Sequence, residues 1–111
     1  VDQMAAQGIR AENVEIIREV VRDTPHRVMV GAMEAGADPA IWDGVDPTIG
    51  VPLLVINAQA PFWTDDYIEY VKTLSDDVEY VTMTDVTHFL FMDRPNEFNR
   101  VLLAWLAEHG M

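Results

Sequence analysis

The sequence contains no cysteine. Disulfides, thiolate metal sites and cysteine nucleophiles are therefore excluded, while the compartment stays open, because proteins of oxidising and reducing environments alike can lack the residue. Basic residues are scarce, 7 Lys and Arg against 19 Asp and Glu, which gives a formal charge of −12 at pH 7. The field of such a chain repels polyanions, so nucleic acid is not an expected partner. Long apolar runs are missing too. The longest, Val51 to Ile56, falls far short of the roughly 20 residues that span a bilayer, and no basic stretch followed by an apolar one opens the chain. Neither a membrane segment nor a secretion signal is expected, and a soluble protein in the cytoplasm is the default. The chain has no HExxH, no histidines paired at metal spacing and no glycine-rich phosphate loop, so no metal or nucleotide cofactor is indicated.

What the 111 residues do hold is half apolar and about a quarter charged, the composition of a globular domain that can bury a core. From Ala11 to Arg22, Val14, Ile16, Ile17, Val20 and Val21 recur at helical spacing opposite Glu12, Glu15, Arg18 and Glu19, which predicts an amphipathic helix. A second helix is predicted to start with Thr24 as cap and Pro25 at its first position, and to end near Gly36. Asp38 to Gly50, rich in proline, glycine and aspartate, reads as a loop, pinned to the body by Trp42.

Val51 to Asn57 (VPLLVIN) is a short apolar run of the kind that forms a parallel strand covered on both faces. Beyond a loop from Ala58 to Trp63, Thr64 can cap a helix with Asp65 and Asp66 in its first turn, continuing through Tyr67, Ile68, Val71 and Leu74. Val78 to Thr84 (VEYVTMT) reads as a second strand, which makes a β-α-β unit with a right-handed crossover. Asp85 to Asp93 is a loop carrying His88. Arg94, Pro95 and Asn96 then open a final helix to about Glu108, with Phe98, Val101, Leu102, Trp105 and Leu106 as its buried stripe. Two parallel strands make too small a sheet to stand alone. They are expected to extend a larger sheet supplied by another segment or chain, or else to pair between copies.

The order VPLLVINA, loop, helix, VEYVTMT, then DVTHFLFMDRP and the helix NEFNRVLLAWLAEH resembles the last part of the α/β-hydrolase superfamily, where a final core strand delivers the catalytic histidine. The motif here is His88, then Phe89-Leu90-Phe91-Met92, Asp93, Arg94, Pro95, Asn96, Glu97 and Phe98. The resemblance spans about Ile49 to Leu106. It implies an α/β fold: residues 49–111 as the C-terminal β-α-β-α portion of a hydrolase core, and residues 1–48 as the end of a lid and the helix that returns from it. It also implies an esterase-like function in which His88 takes a proton from a hydroxyl nucleophile and returns it to the leaving group. A histidine with its ordinary pKa of about 6.5 suits both steps near neutral pH. His26 and His109, without such a setting, read as exposed residues on or after helices.

Intact hydrolases present a serine within G-x-S-x-G. The one serine here, Ser75, lies in Leu-Ser-Asp-Asp, and the glycines Gly31 and Gly36 enclose no nucleophile. The nucleophile and oxyanion hole are therefore expected on a segment or chain outside this one, with this chain a fragment or processed product that is inactive alone. Many relatives carry the triad acid a few residues past the VPLLVIN strand, a position that falls on Pro61. Asp65, within reach of the same loop, is the candidate acid; capping and dipole pairing are the ordinary roles of an acid in a first helical turn. Asp93 reads as a loop-to-helix cap.

Phe62, Trp63 and Phe89 are candidate substrate-binding residues, because they lie on loops at the carboxyl ends of strands, where open α/β sheets bind ligands; ordinary packing is the alternative. Trp42 and Trp105 read as core. Asp38, Asp43 and Asp46 lack calcium-loop spacing. Two functions follow: a chain of a serine hydrolase acting on uncharged small-molecule carboxylic esters, or a non-catalytic acidic binding or assembly module that keeps the hydrolase C-terminal pattern.

Overall fold

The structure, a computed structural model, describes residues 10–111. The first nine residues of the predicted lid segment lie outside the described residues. The chain divides into two compact units, one ending at Asp46 and one running from Pro47 to Met111.

In the first unit, α1 (Ala11–Asp23) buries Val14 and Ile17, one turn apart, and has Glu12 in its first turn and Arg22 in its last. Both charges complement the helix dipole. Thr24 does not cap the next helix as predicted: its hydroxyl and its backbone N–H both donate to the Val20 carbonyl, at 2.7 and 3.0 Å. The following proline is the reason, since it drives the preceding residue out of the α region; Thr24 sits at ψ 119° and terminates α1, while Pro25 takes the N-cap position of α2 (His26–Ala37). No side chain of α2 is fully buried. The predicted loop after it begins with a 3₁₀ turn, Pro39–Trp42, capped by Asp38, whose carboxylate accepts from the Ala40 N–H at 2.9 Å. The predicted anchoring role of Trp42 concerns a side chain outside those described.

The second unit is built on two parallel strands, β1 (Leu53–Ala58) and β2 (Val78–Met83), paired from Leu53 opposite Val78 to Ala58 opposite Met83. They form a two-stranded sheet among the described residues. The pairing is extended at both ends, by the Leu53 N–H on the Asp77 carbonyl and the Gln59 N–H on the Met83 carbonyl. Every β1 residue is half-buried, so the predicted burial on both faces is not reached. A sheet this narrow lacks the flanking layers that bury a parallel strand.

Between the strands, α3 (Asp65–Val71) is capped as predicted by Thr64, whose hydroxyl accepts from the Tyr67 N–H at 3.2 Å. It ends a turn earlier than predicted. Thr73 donates its hydroxyl to the Tyr70 carbonyl at 2.6 Å, and the amides of Thr73 and Leu74 make tightened i→i−3 bonds; such local side-chain bonding competes with helix continuation. Ser75 then donates to the Val51 carbonyl at 2.7 Å, tying this turn to the entry of β1. After β2, a single helical turn α4 (Leu90–Asp93) interrupts the predicted loop and leads into α5 (Pro95–Glu108). The core of the unit holds Val71, Met83, Leu90 and Trp105. Of the predicted α5 stripe only Trp105 is fully buried, with Phe98, Val101, Leu102 and Leu106 half-buried. Among the described residues the chain is thus a small mixed α/β protein with five α-helices and a two-stranded parallel sheet.

Candidate functional site

The loop that leaves β2 is built to fix its own shape. Asp85 turns the chain with φ 54°, a left-handed conformation that aspartate tolerates better than most residues. Thr87, buried to 8 % exposure, is then held from two sides. Its backbone N–H and its hydroxyl both donate to the same carboxylate oxygen of Asp93, Oδ2, at 2.6 and 2.8 Å. Its hydroxyl oxygen in turn accepts from the Phe89 N–H at 3.2 Å. Arg94, next to Asp93, approaches the Asp85 carboxylate at 3.9 Å. That pair is exposed and adds little, whereas the bonds to a partly buried carboxylate are charge-assisted and strong.

His88 stands between Thr87 and Phe89, at the apex of this closed turn. Its side chain is exposed, and its ring meets Phe89 edge to face at 5.3 Å. Phe89, half-buried, continues an edge-to-face series through Phe91 to Phe98. The imidazole is thus presented to solvent from a hydrogen-bonded turn that follows a parallel strand.

A second feature lies at the carboxyl end of β1. An open cleft of about 540 Å³ is lined by Gln59, Pro61, Trp63, Asp65, Tyr80 and Thr82, among others. Trp63 is half-buried and leans on Tyr67 at 4.8 Å, with Phe62 edge-on at 4.9 Å. The Asn57 amide donates to the Tyr80 hydroxyl oxygen at 2.7 Å, which fixes the phenol and leaves its own hydrogen to donate.

The candidate residues therefore separate into two groups. Trp63 and Asp65 line the cleft; His88 and Phe89 belong to the β2 loop and are not part of that lining. Phe62 is 68 % exposed beside Trp63. Among the described residues no hydrogen bond or ion pair joins Asp65 to His88, and no cluster of three or more His, Asp or Glu could hold a metal. No described helix is long and apolar enough to cross a membrane.

Two readings are corrected. Asp93 does not cap α5, whose N-cap is Arg94 without a side-chain bond; the α4 turn folds the chain back so that the carboxylate reaches Thr87 instead. His109 is not an exposed residue. It is half-buried and stacks on Trp105 at 4.2 Å; Nδ1 lies 2.8 Å from the Trp105 carbonyl and Nε2 3.0 Å from the Asp77 carboxylate. These two hydrogen bonds, the backbone one first, hold its pKa above the ordinary 6.5. Thr87 was missed by sequence reasoning, although a threonine six residues before an aspartate across a short loop is a possible hydroxyl–carboxylate pair. Compared with known protein families, curated proteins and solved structures, the chain matches none of them.

Proposed function

We propose that this chain supplies the general acid/base histidine, His88, of an esterase-like serine hydrolase, acting on a serine nucleophile carried by a segment outside it. The observation that carries the reading is the exposed imidazole at the apex of a turn braced by Asp93 and Thr87, directly after a parallel strand. A general base must keep its geometry while leaving a ring nitrogen open to the nucleophile, and both conditions suit this turn. The acid that orients the imidazole is Asp65, brought to it when the sheet is completed, or one carried by the segment outside this chain. The substrate class is an uncharged carboxylic ester, in keeping with the aromatic surface of Phe89 beside the imidazole and Phe91 next to it. The half-buried strands are in keeping with a sheet completed by that other segment.

The test is hydrolysis of a p-nitrophenyl ester by the assembly that contains this chain, recovered through a tag on it. His88→Ala is expected to lower the rate roughly 10² to 10⁴-fold while the assembly itself still forms. A rate indifferent to His88 would favour the second reading, a non-catalytic acidic assembly module. Pro61 at the position of the family acid is the observation behind that alternative.

A further inference from the structure

The cleft at the carboxyl end of β1 has a composition that selects for one kind of ligand. Its size, about 540 Å³, lies within the range of small-molecule sites. Asp65 is the one ionisable acid or base among its described lining residues other than the Tyr80 phenol, and neither lysine nor arginine is there to neutralise it. Asp65 is exposed at the mouth. The wall beside it is aromatic: the half-buried indole of Trp63, backed by Tyr67 at 4.8 Å, and the Tyr80 ring held by Asn57. Indole is the best of the aromatic faces for a cation, and a carboxylate next to it adds direct charge attraction. Thr82, Gln59 and the Tyr80 hydroxyl supply the few polar groups that orient a bound molecule. The chain's charge of −12 raises the local concentration of cations and disfavours carboxylates and phosphates.

We propose that this cleft binds a small organic ammonium ion, with its apolar body against Trp63 and Tyr80 and its charge at the Asp65 carboxylate. The inference does not depend on the hydrolase reading, since binding requires no turnover and no serine.

The probes are three compounds of matched size: phenethylammonium, 2-phenylethanol and phenylacetate. Each is titrated into the ¹⁵N-labelled chain while the Ala58–Asp65 and Thr82 amides and the Trp63 indole N–H are followed. Phenethylammonium should shift those signals and bind about tenfold more tightly than the alcohol, the size of a partly exposed ion pair and cation–π contact together. Phenylacetate should bind most weakly. Asp65→Asn should cut the ammonium preference to about two- to fivefold, the part left to the cation–π contact, while leaving alcohol binding intact, and Trp63→Leu should weaken both. Asp76→Asn removes the same charge at the far end of β2, roughly 20 Å away along a six-residue strand and beyond the Debye length at physiological salt; it should leave the preference unchanged. Equal binding of ammonium and alcohol overturns the proposal. So does a preference undiminished by Asp65→Asn, a loss equally large in Asp76→Asn, or shifts that map away from the cleft.

Discussion

Removing the Asp93 carboxylate should release the turn that presents His88. In the Asp93→Ala variant, the Thr87 N–H and hydroxyl lose their common acceptor, Oδ2 at 2.6 and 2.8 Å, on a residue only 8 % exposed. Each donor left unsatisfied in a buried site costs about 1–3 kcal/mol. The carboxylate is itself half-buried, and the loop can relax toward water, so about 2–4 kcal/mol for the pair is expected. Thr87→Val removes the hydroxyl bond alone and deprives the Phe89 N–H of its acceptor, at about 1–2 kcal/mol. Because the two residues share these bonds, the double variant should cost less than the sum by about 1 kcal/mol. Urea unfolding of the four proteins measures this cycle, and amide exchange at Thr87 and Phe89 reports whether the loss is local. Additivity within about 0.5 kcal/mol, the scatter of independent sites, would refute the brace.

Other outcomes follow from the same geometry. His88→Ala should change stability by less than about 0.5 kcal/mol, because the ring is exposed; a large drop in urea midpoint would mean that the histidine is structural. Thr64→Ala should cost about 1 kcal/mol by removing the α3 cap at 3.2 Å, read by thermal unfolding. Trp105→Ala should cost about 3–5 kcal/mol as a buried aromatic. Trp105→Phe should cost far less, because the indole Nε1 has no hydrogen-bond partner among the described residues and phenylalanine removes that buried donor. For His109, a pKa raised in the folded protein means that protonation favours folding. Its contribution is fully present below the unfolded value of about 6.5 and fades as pH rises through the folded pKa. NMR titration should place the folded pKa above 6.5, and Asp77→Asn should bring it down; a value at or below 6.5 contradicts the assignment.

The elements with clean local signals were legible in the sequence, most of them with their ends to within a residue or two. The Val14 and Ile17 spacing, the β-branched run at Val78 and the Thr64 cap each act within one turn or one strand, so residue types alone reveal them. Thr73 shows what misplaced the end of α3, since its hydroxyl bonds backwards onto the Tyr70 carbonyl and the helix stops at Val71, short of the Leu74 that apolar periodicity included. Thr24, expected to cap α2, instead bonds back onto the Val20 carbonyl and closes α1. The burial of β1 was overestimated because a VPLLVIN run reports how apolar a strand is, while the layers that cover it lie elsewhere in the fold. The placement of His88 on the loop after β2 was visible from its neighbours. The role of Asp93 was hidden because it depends on the α4 turn, which folds a six-residue separation into a hydrogen bond. The pairing of His109 with Asp77 spans 32 positions, and no local pattern marks it.

The central claim is that His88 transfers protons for a serine outside this chain. It is tested most directly by fluorophosphonate labelling of the tagged, assembled protein, with the labelled peptide identified by mass spectrometry. The account predicts label on a serine that is not Ser75, and labelling slowed by roughly 10² or more in His88→Ala. Label on Ser75, no labelled serine in the assembly, or a labelling rate unchanged by His88→Ala would contradict it.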